Sequence, residues 1–174
     1  MEAIQAILTR RSIRKYAPRP IGEEEMTTLL RAGMSAPSCT NCRDWAFLVV
    51  REKAGLEALA QNNGTAAWML PGAAAAIVVC GDLSRAYKDC PEYWAIDAAN
   101  AAENILVAAN ALGIGSVFLG CYPETDVVEG LHRLLKLPEE IVPFAILALG
   151  YPADPGEVRE KENFEPERIH YETW

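Results

Sequence analysis

Two short runs hold most of the groups in this chain that could do chemistry: RRSIRKY, residues 10–16, and SAPSCTNCRDW, residues 35–45. The first sets Arg10, Arg11, Arg14 and Lys15 around the hydroxyl of Ser12. Guanidinium forks match phosphate oxygens, and a serine hydroxyl bonds an anion or polyol at short range, so this mixture suits a phosphate-bearing ligand. A basic run without such a mixture is more often a solvated face. The second run contains a CxxC pair, Cys39 and Cys42, in a chain with five cysteines. Such a pair can be a dithiol, half of a zinc site, or two small side chains in a loop that matters for another reason.

Other catalytic constellations are thin. The two histidines, His132 and His170, stand near no nucleophile-elbow sequence, and no triad is expected. No metal site is expected either: the single CxxC has no second pair or histidine cluster, and zinc would need Cys80, Cys90 or Cys121 to come close to it. Gly113-Ile114-Gly115 follows a helical pattern and precedes a strand, the reverse of a dinucleotide fingerprint, so it reads as a helix cap plus turn. For CTNC, the pair likewise follows a helix and precedes a strand, so a helix N-terminus does not activate either thiol.

Charge narrows the partners. The net charge is -8, which disfavours broad binding to nucleic acid or to an anionic membrane surface. Yet Arg10, Arg11, Arg14, Lys15 and Arg19 stand between Ala3 and Gly22 with no acid among them, while the rest of the chain holds all 24 acids and 11 bases. A small positive site in a negative protein favours a compact anion. The first nine residues carry an acid and run into Arg10-Arg11, unlike a signal peptide, and the apolar run at 66–81 is broken by Pro71-Gly72. With an odd cysteine count, the expectation is a cytoplasmic protein whose cysteines stay thiols, built as one domain of 174 residues.

The elements that must position these runs follow from periodicity. Helices are expected over 2–9, from Gly22 as N-cap into Glu23, Glu24 and Glu25, over 53–61, over 94–112 and over 125–135. Ile21 and Met26 are spaced as a hydrophobic staple, and Gly113 is the expected C-terminal glycine of the longest helix. Strands are expected at 45–50 (WAFLVV), 74–80 (AAAIVVC), 116–121 (SVFLGC) and 144–149 (FAILAL). Residues 62–72 read as a glycine-containing, mobile stretch. On the long helix, Asp97, Asn100 and Asn104 share a stripe with Glu103 and Asn110 beside it; bonding to neighbouring backbone or a subunit contact is favoured over direct catalysis. From 151 onward, Phe164, Ile169, Tyr171 and Trp174 spread apolar anchors through a charged, proline-containing segment, as in an arm that docks on another surface.

In order along the chain, RRSIRKY, SAPSCTNCRDW, DAANAAENILVAANALGIGSVFLG (97–120), LGYP (149–152) and the closing FEPERIHYETW (164–174) resemble the signatures of the FMN-dependent nitroreductase family over almost the whole length. That resemblance implies an α+β fold, with a mixed, largely antiparallel sheet surrounded by helices. It also implies an intertwined homodimer in which the C-terminal arm, about 151–174, extends over the other subunit. FMN would sit at the interface. Arg10, Arg11, Ser12 and Arg14 would hold its phosphate and ribityl chain, Pro37, Ser38 and Asn41 would approach from the other subunit, backbone near Leu119 and Gly120 would face the ring, and Arg159 or Lys161 would add a cation.

The implied activity is ping-pong transfer of hydride from NADH or NADPH through the flavin to a nitroaromatic, quinone or similar small acceptor. Flavin carries that chemistry itself, which accounts for the missing triad. Trp68, Tyr93 and Trp94 could cover the open flavin face, or each could be a core aromatic. The alternatives are a relative specialised for a halogenated aromatic or an enone and, in a different class, a thiol or metal-binding module built on CTNC. Two departures stand out: Arg43-Asp44 where the family loop commonly has Gln-Pro, and Glu103 where glutamine is common.

Overall fold

The four apolar runs pair into one antiparallel sheet in the order β1-β2-β4-β3. The strands are β1 (Trp45–Val50), β2 (Ala75–Asp82), β3 (Gly115–Gly120) and β4 (Ile141–Gly150) in a computed structural model that describes residues 1–154, 156 and 159–174. The mixed character enters at the β3 edge, where Ser12 makes a parallel bridge to Ser116. Among the described residues, five helices surround the sheet: α1 (Ala3–Thr9), α2 (Glu23–Met34), α3 (Lys53–Asn63), α4 (Tyr93–Ala111) and α5 (Thr125–Leu135). None is long and apolar enough to cross a membrane among the described residues.

The period of two sorts the central strands onto two cores. On β2, Ala75, Ile77 and Val79 join Leu147 and Leu149 of β4 in a cluster with Met26 and Leu29 of α2 and Ile105 of α4. Ala76, Val78 and Cys80 face the other way, with Ile146, Ala148, Leu56, Leu59 and Leu131. Because both faces of β2 and β4 are covered, these strands are apolar at nearly every position rather than alternating.

Local signals account for the helix ends. Gly22 starts α2, its N–H donating to Glu25 Oε2 at 2.8 Å, and Ile21 and Met26 are buried in one cluster as a staple requires. Gly113 takes a φ of 73° just beyond α4, a left-handed conformation that glycine adopts without steric cost.

Residues 62–72 differ from the expectation. They end α3 and form two 3₁₀ turns, Gly64–Ala67 and Leu70–Gly72, with Ala67, Met69 and Leu70 buried. Three apolar anchors against the second core hold what the glycine and proline content alone marked as mobile.

Candidate functional site

The run RRSIRKY leaves α1 and lies along the β3 edge. Ile13 N–H donates to Ser116 O at 2.9 Å, and Tyr16 is pinned by its hydroxyl, which donates to Ile13 O at 2.7 Å. Burial pushes the Tyr16 hydroxyl far above its ordinary value, so it remains a proton donor. Ser12, Arg14 and Lys15 are exposed beside these tethered residues. They line a groove of about 290 Å³ with Arg11, Ile13, Trp68, Ala153 and Asp154. Positive charge dominates this lining, with one acid against two guanidiniums and an ammonium. A smaller cavity of about 120 Å³ next to it joins Arg11 and Arg159.

The other expected residues do not line this groove. Arg10 donates from Nε to Glu103 Oε1 at 3.1 Å, so the glutamate of α4 holds the first arginine in place. Lys161 lies against the end of α1, its N–H donating to Leu8 O at 3.2 Å. Further along β3, Leu119 is buried and Gly120 exposed, and a Cβ added at Gly120 would meet nothing closer than Phe118 at 3.9 Å. Ser116 turns its carbonyl away from β4, and antiparallel alternation carries the backbone groups of Phe118 and Gly120 to the same open edge. Ser116 and Gly120 are four residues apart, about 13 Å along the strand.

Pro37, Ser38 and Asn41 are not beside this groove. Their loop leads into β1, the opposite edge of the sheet, three strand spacings or about 14 Å away from β3. The loop is tightly folded, with positive φ at Thr40, Asn41 and Arg43. Such conformations cost free energy and persist only where surrounding contacts hold them. Here Ser38 Oγ accepts from Arg43 N–H at 3.0 Å, and Asn41 Oδ1 accepts from Arg43 Nε at 3.0 Å. The arginine that departs from the expected glutamine thus braces the loop.

The polar stripe of α4 bonds to neighbouring backbone. Asp97 Oδ2 accepts from Cys39 N–H at 2.9 Å, Asn104 donates to Ala32 O at 3.1 Å and Asn110 donates to Ala6 O at 2.8 Å. These contacts tie α1, α2 and the CTNC loop to α4.

Cys42, Asp44 and Asp97 form a cluster that spacing did not predict, with one donor atom from each lying within 4.8 Å of the others. Its only sequence signals were the departure at Asp44 and the stripe position of Asp97. Burial raises the Cys42 thiol, and Asp44 and Asp97 raise it further; burial and Asp97 likewise hold the Asp44 carboxyl above its ordinary value. The Cys39 thiol is raised by burial and the same two acids. Neither is an activated thiolate. Cys80 and Cys121 lie in the second core, pushed by burial to about 12 and about 11, far from any dithiol role with CTNC.

The three aromatics separate. Trp68 is exposed and lines the groove, and Tyr93 is exposed at the start of α4. Trp94 is a core residue, 6% exposed, packed edge-on against Tyr122 and Phe144 with ring centroids at 4.8 and 6.1 Å. Of the two readings open to it, Trp94 takes that of a core aromatic: Gly81 leaves the space its ring fills, since a Cβ there would fall 2.2 Å from it.

The model of the nitroreductase family matches residues 7–74 and 63–151. A Methanothermobacter thermautotrophicus protein named "Putative NADH dehydrogenase/NAD(P)H nitroreductase" is 43% identical, over the whole of this chain and 88% of its own length. The FMN reductase [NAD(P)H] of Bacillus subtilis is 28% identical, over 88% of this chain and 67% of its own. Among solved structures, an FMN-dependent nitroreductase from Clostridium difficile superposes with a TM-score of 0.87 at 28% identity, covering 98% of this chain and 99% of the other.

Proposed function

Because this chain belongs to the nitroreductase family, we propose that it is an FMN-dependent oxidoreductase of the cytoplasm. It takes reducing equivalents from NADH or NADPH and delivers them to a nitroaromatic, quinone or similar small acceptor. The observation that carries this reading is the cationic groove at the β3 edge, where Arg11, Ser12, Arg14 and Lys15 converge. Its donor set fits FMN: guanidiniums for a phosphate, a hydroxyl for the ribityl chain, and Gly120 leaving room for a planar ring beside the strand.

When bound, FMN supplies the hydride and electron transfer. The chain's own residues bind and orient it. Arg11 and Arg14 neutralise the phosphate, Ser12 bonds at short range from a backbone tethered to β3, and Arg159 and Lys161 add positive charge from the arm. Donor and acceptor use one open face in turn, which gives ping-pong kinetics.

The separation of Pro37, Ser38 and Asn41 from the groove supports a homodimer, in which the loop of one subunit completes the site of the other. Exposed apolar surface supports it too. Phe164 and Tyr171 are 77% and 79% exposed and Trp174 is 99% exposed on the arm, and a groove of about 530 Å³ between α1, α2 and α4 is lined by Ile7, Val107 and Ala111. In this reading residues 1–174 form one flavin-binding domain whose arm, 151–174, packs on the partner.

The test is the absorption spectrum of the purified protein, followed by NADH and NADPH oxidation against a nitroaromatic, a quinone, a halogenated aromatic and an enone. One FMN per chain and parallel double-reciprocal lines are expected. A colourless protein that takes up no FMN overturns the reading.

A further inference from the structure

At the opposite edge of the sheet from the groove, we infer that Cys42, Asp44 and Asp97 form a binding site for a divalent transition-metal ion, zinc in particular. The ion clips the CTNC loop to the start of α4. Asp44 is 0% exposed, and both its carboxylate oxygens are buried without a hydrogen-bond partner. Burying a carboxylate this way is costly unless something of opposite charge or a donor meets it. No lysine, arginine or histidine makes a salt bridge to Asp44 or Asp97 among the described residues. A cation held between them supplies what the protein does not.

The Cys42 to Asp97 separation suits a small tetrahedral ion. Zinc bonds of about 2.3 Å to sulfur and about 2.0 Å to oxygen, at a tetrahedral angle, place the two ligand atoms about 3.5 Å apart. Cys42 Sγ and Asp97 Oδ2 are 3.7 Å apart, the thiol now donating its proton to the carboxylate. Metal binding displaces that proton to solvent and leaves sulfur and oxygen both on the ion.

The ligand atoms are also held from behind. Cys39 N–H donates to Asp97 Oδ2 at 2.9 Å, the kind of outer hydrogen bond that orients a metal ligand, and the Asp44 carbonyl accepts from Asp82 N–H at 2.6 Å at the end of β2. Two carboxylates and a thiolate leave a fourth position for water. They select zinc over calcium or magnesium, which take six or more oxygens and avoid sulfur.

The inference does not rest on flavin binding, and its test reads metal directly. The full-length protein is stripped with a chelator, dialysed, and titrated with Zn²⁺ and separately with Co²⁺. One zinc per chain is expected, together with a sulfur-to-cobalt charge-transfer band that Cys42→Ser abolishes. Asp44→Asn and Asp97→Asn should each weaken zinc binding by more than about 100-fold, beyond what loss of an outer hydrogen bond does. Cys90→Ser should leave the affinity unchanged. Circular dichroism of each metal-free variant checks that it is folded, and the cobalt band keeps the test decisive if one aspartate variant is not. Zinc uptake below about a tenth of an ion per chain, or full uptake by Cys42→Ser, overturns the site and leaves a proton shared by the two acids as the explanation for Asp44.

Discussion

The groove at the β3 edge and the cluster before β1 are opposites in charge and in completeness. The groove is cationic, open and built from side chains of a run whose backbone is tethered to β3. The cluster is acidic and mostly buried, made from residues of a loop, a strand approach and a helix that meet inside one protomer. Exposed positive charge is solvated at little cost and can wait for an anion, whereas buried negative charge needs its counterpart within the fold. One region is therefore defined by a ligand that arrives, the other by what must already be there.

Removing the partner separates them most sharply. Deleting the chain from Phe164 onward should abolish the dimer in sedimentation and empty the groove of FMN, while the cluster, complete in one protomer, keeps its metal. An FMN-loaded dimer after the deletion would sink the two-subunit site.

Arg14→Ala acts on the groove alone. It removes a charged hydrogen bond of about 1.5–3 kcal/mol, so the FMN dissociation constant should rise roughly 10- to 150-fold in a fluorescence titration with no change in melting temperature of the metal-free, flavin-free protein. Unchanged FMN affinity would remove Arg14 from the assignment.

Two glycines sharpen the contrast further. Gly81→Ala, beside the Trp94 ring, should cost about 1–3 kcal/mol of stability by overpacking, read as a lower melting temperature. Gly120→Ala meets nothing within 3.9 Å and should leave the melting temperature alone while weakening FMN. Equal melting curves for the two variants would contradict the packing described around Trp94.

The smallest effect concerns a carboxylate that, unlike Asp44, has its donors. Glu25 accepts from the Tyr151 hydroxyl and from Gly22 N–H, and these bonds, the first foremost, hold its carboxyl below the ordinary value. A depressed carboxylate stabilises the fold above its unfolded value and loses that contribution as pH falls through the folded one. Tyr151→Phe should therefore lose a little stability at neutral pH and nothing at the acid end, where wild type and variant melt together. A gap that widens toward acid would reverse the sign and refute the assignment.

Much of the architecture was legible because it rests on local rules. Gly22 with its three glutamates, the Ile21 and Met26 staple, Gly113 at the end of α4 and the four apolar runs all announce element type through spacing that neighbours alone enforce. The motif order carried the family, and with it the groove, because RRSIRKY concentrates its charge in seven consecutive residues. Residues 62–72 were misread because glycine and proline report backbone freedom, and only contact with the second core reveals that Met69 and Leu70 are anchored.

By itself, then, the chain determined its elements, its cationic run and the shared face of the α4 stripe, since each depends on residues close in sequence or on a helical repeat. Tertiary structure alone decided that Trp94 fills the space over Gly81 and that Asp44 is sealed beside Asp97 and Cys42. The reason is distance along the chain: Cys42 and Asp97 are 55 residues apart. No local pattern encodes that meeting. It follows from packing α4 across the sheet, which brings the start of the helix to the loop that enters β1.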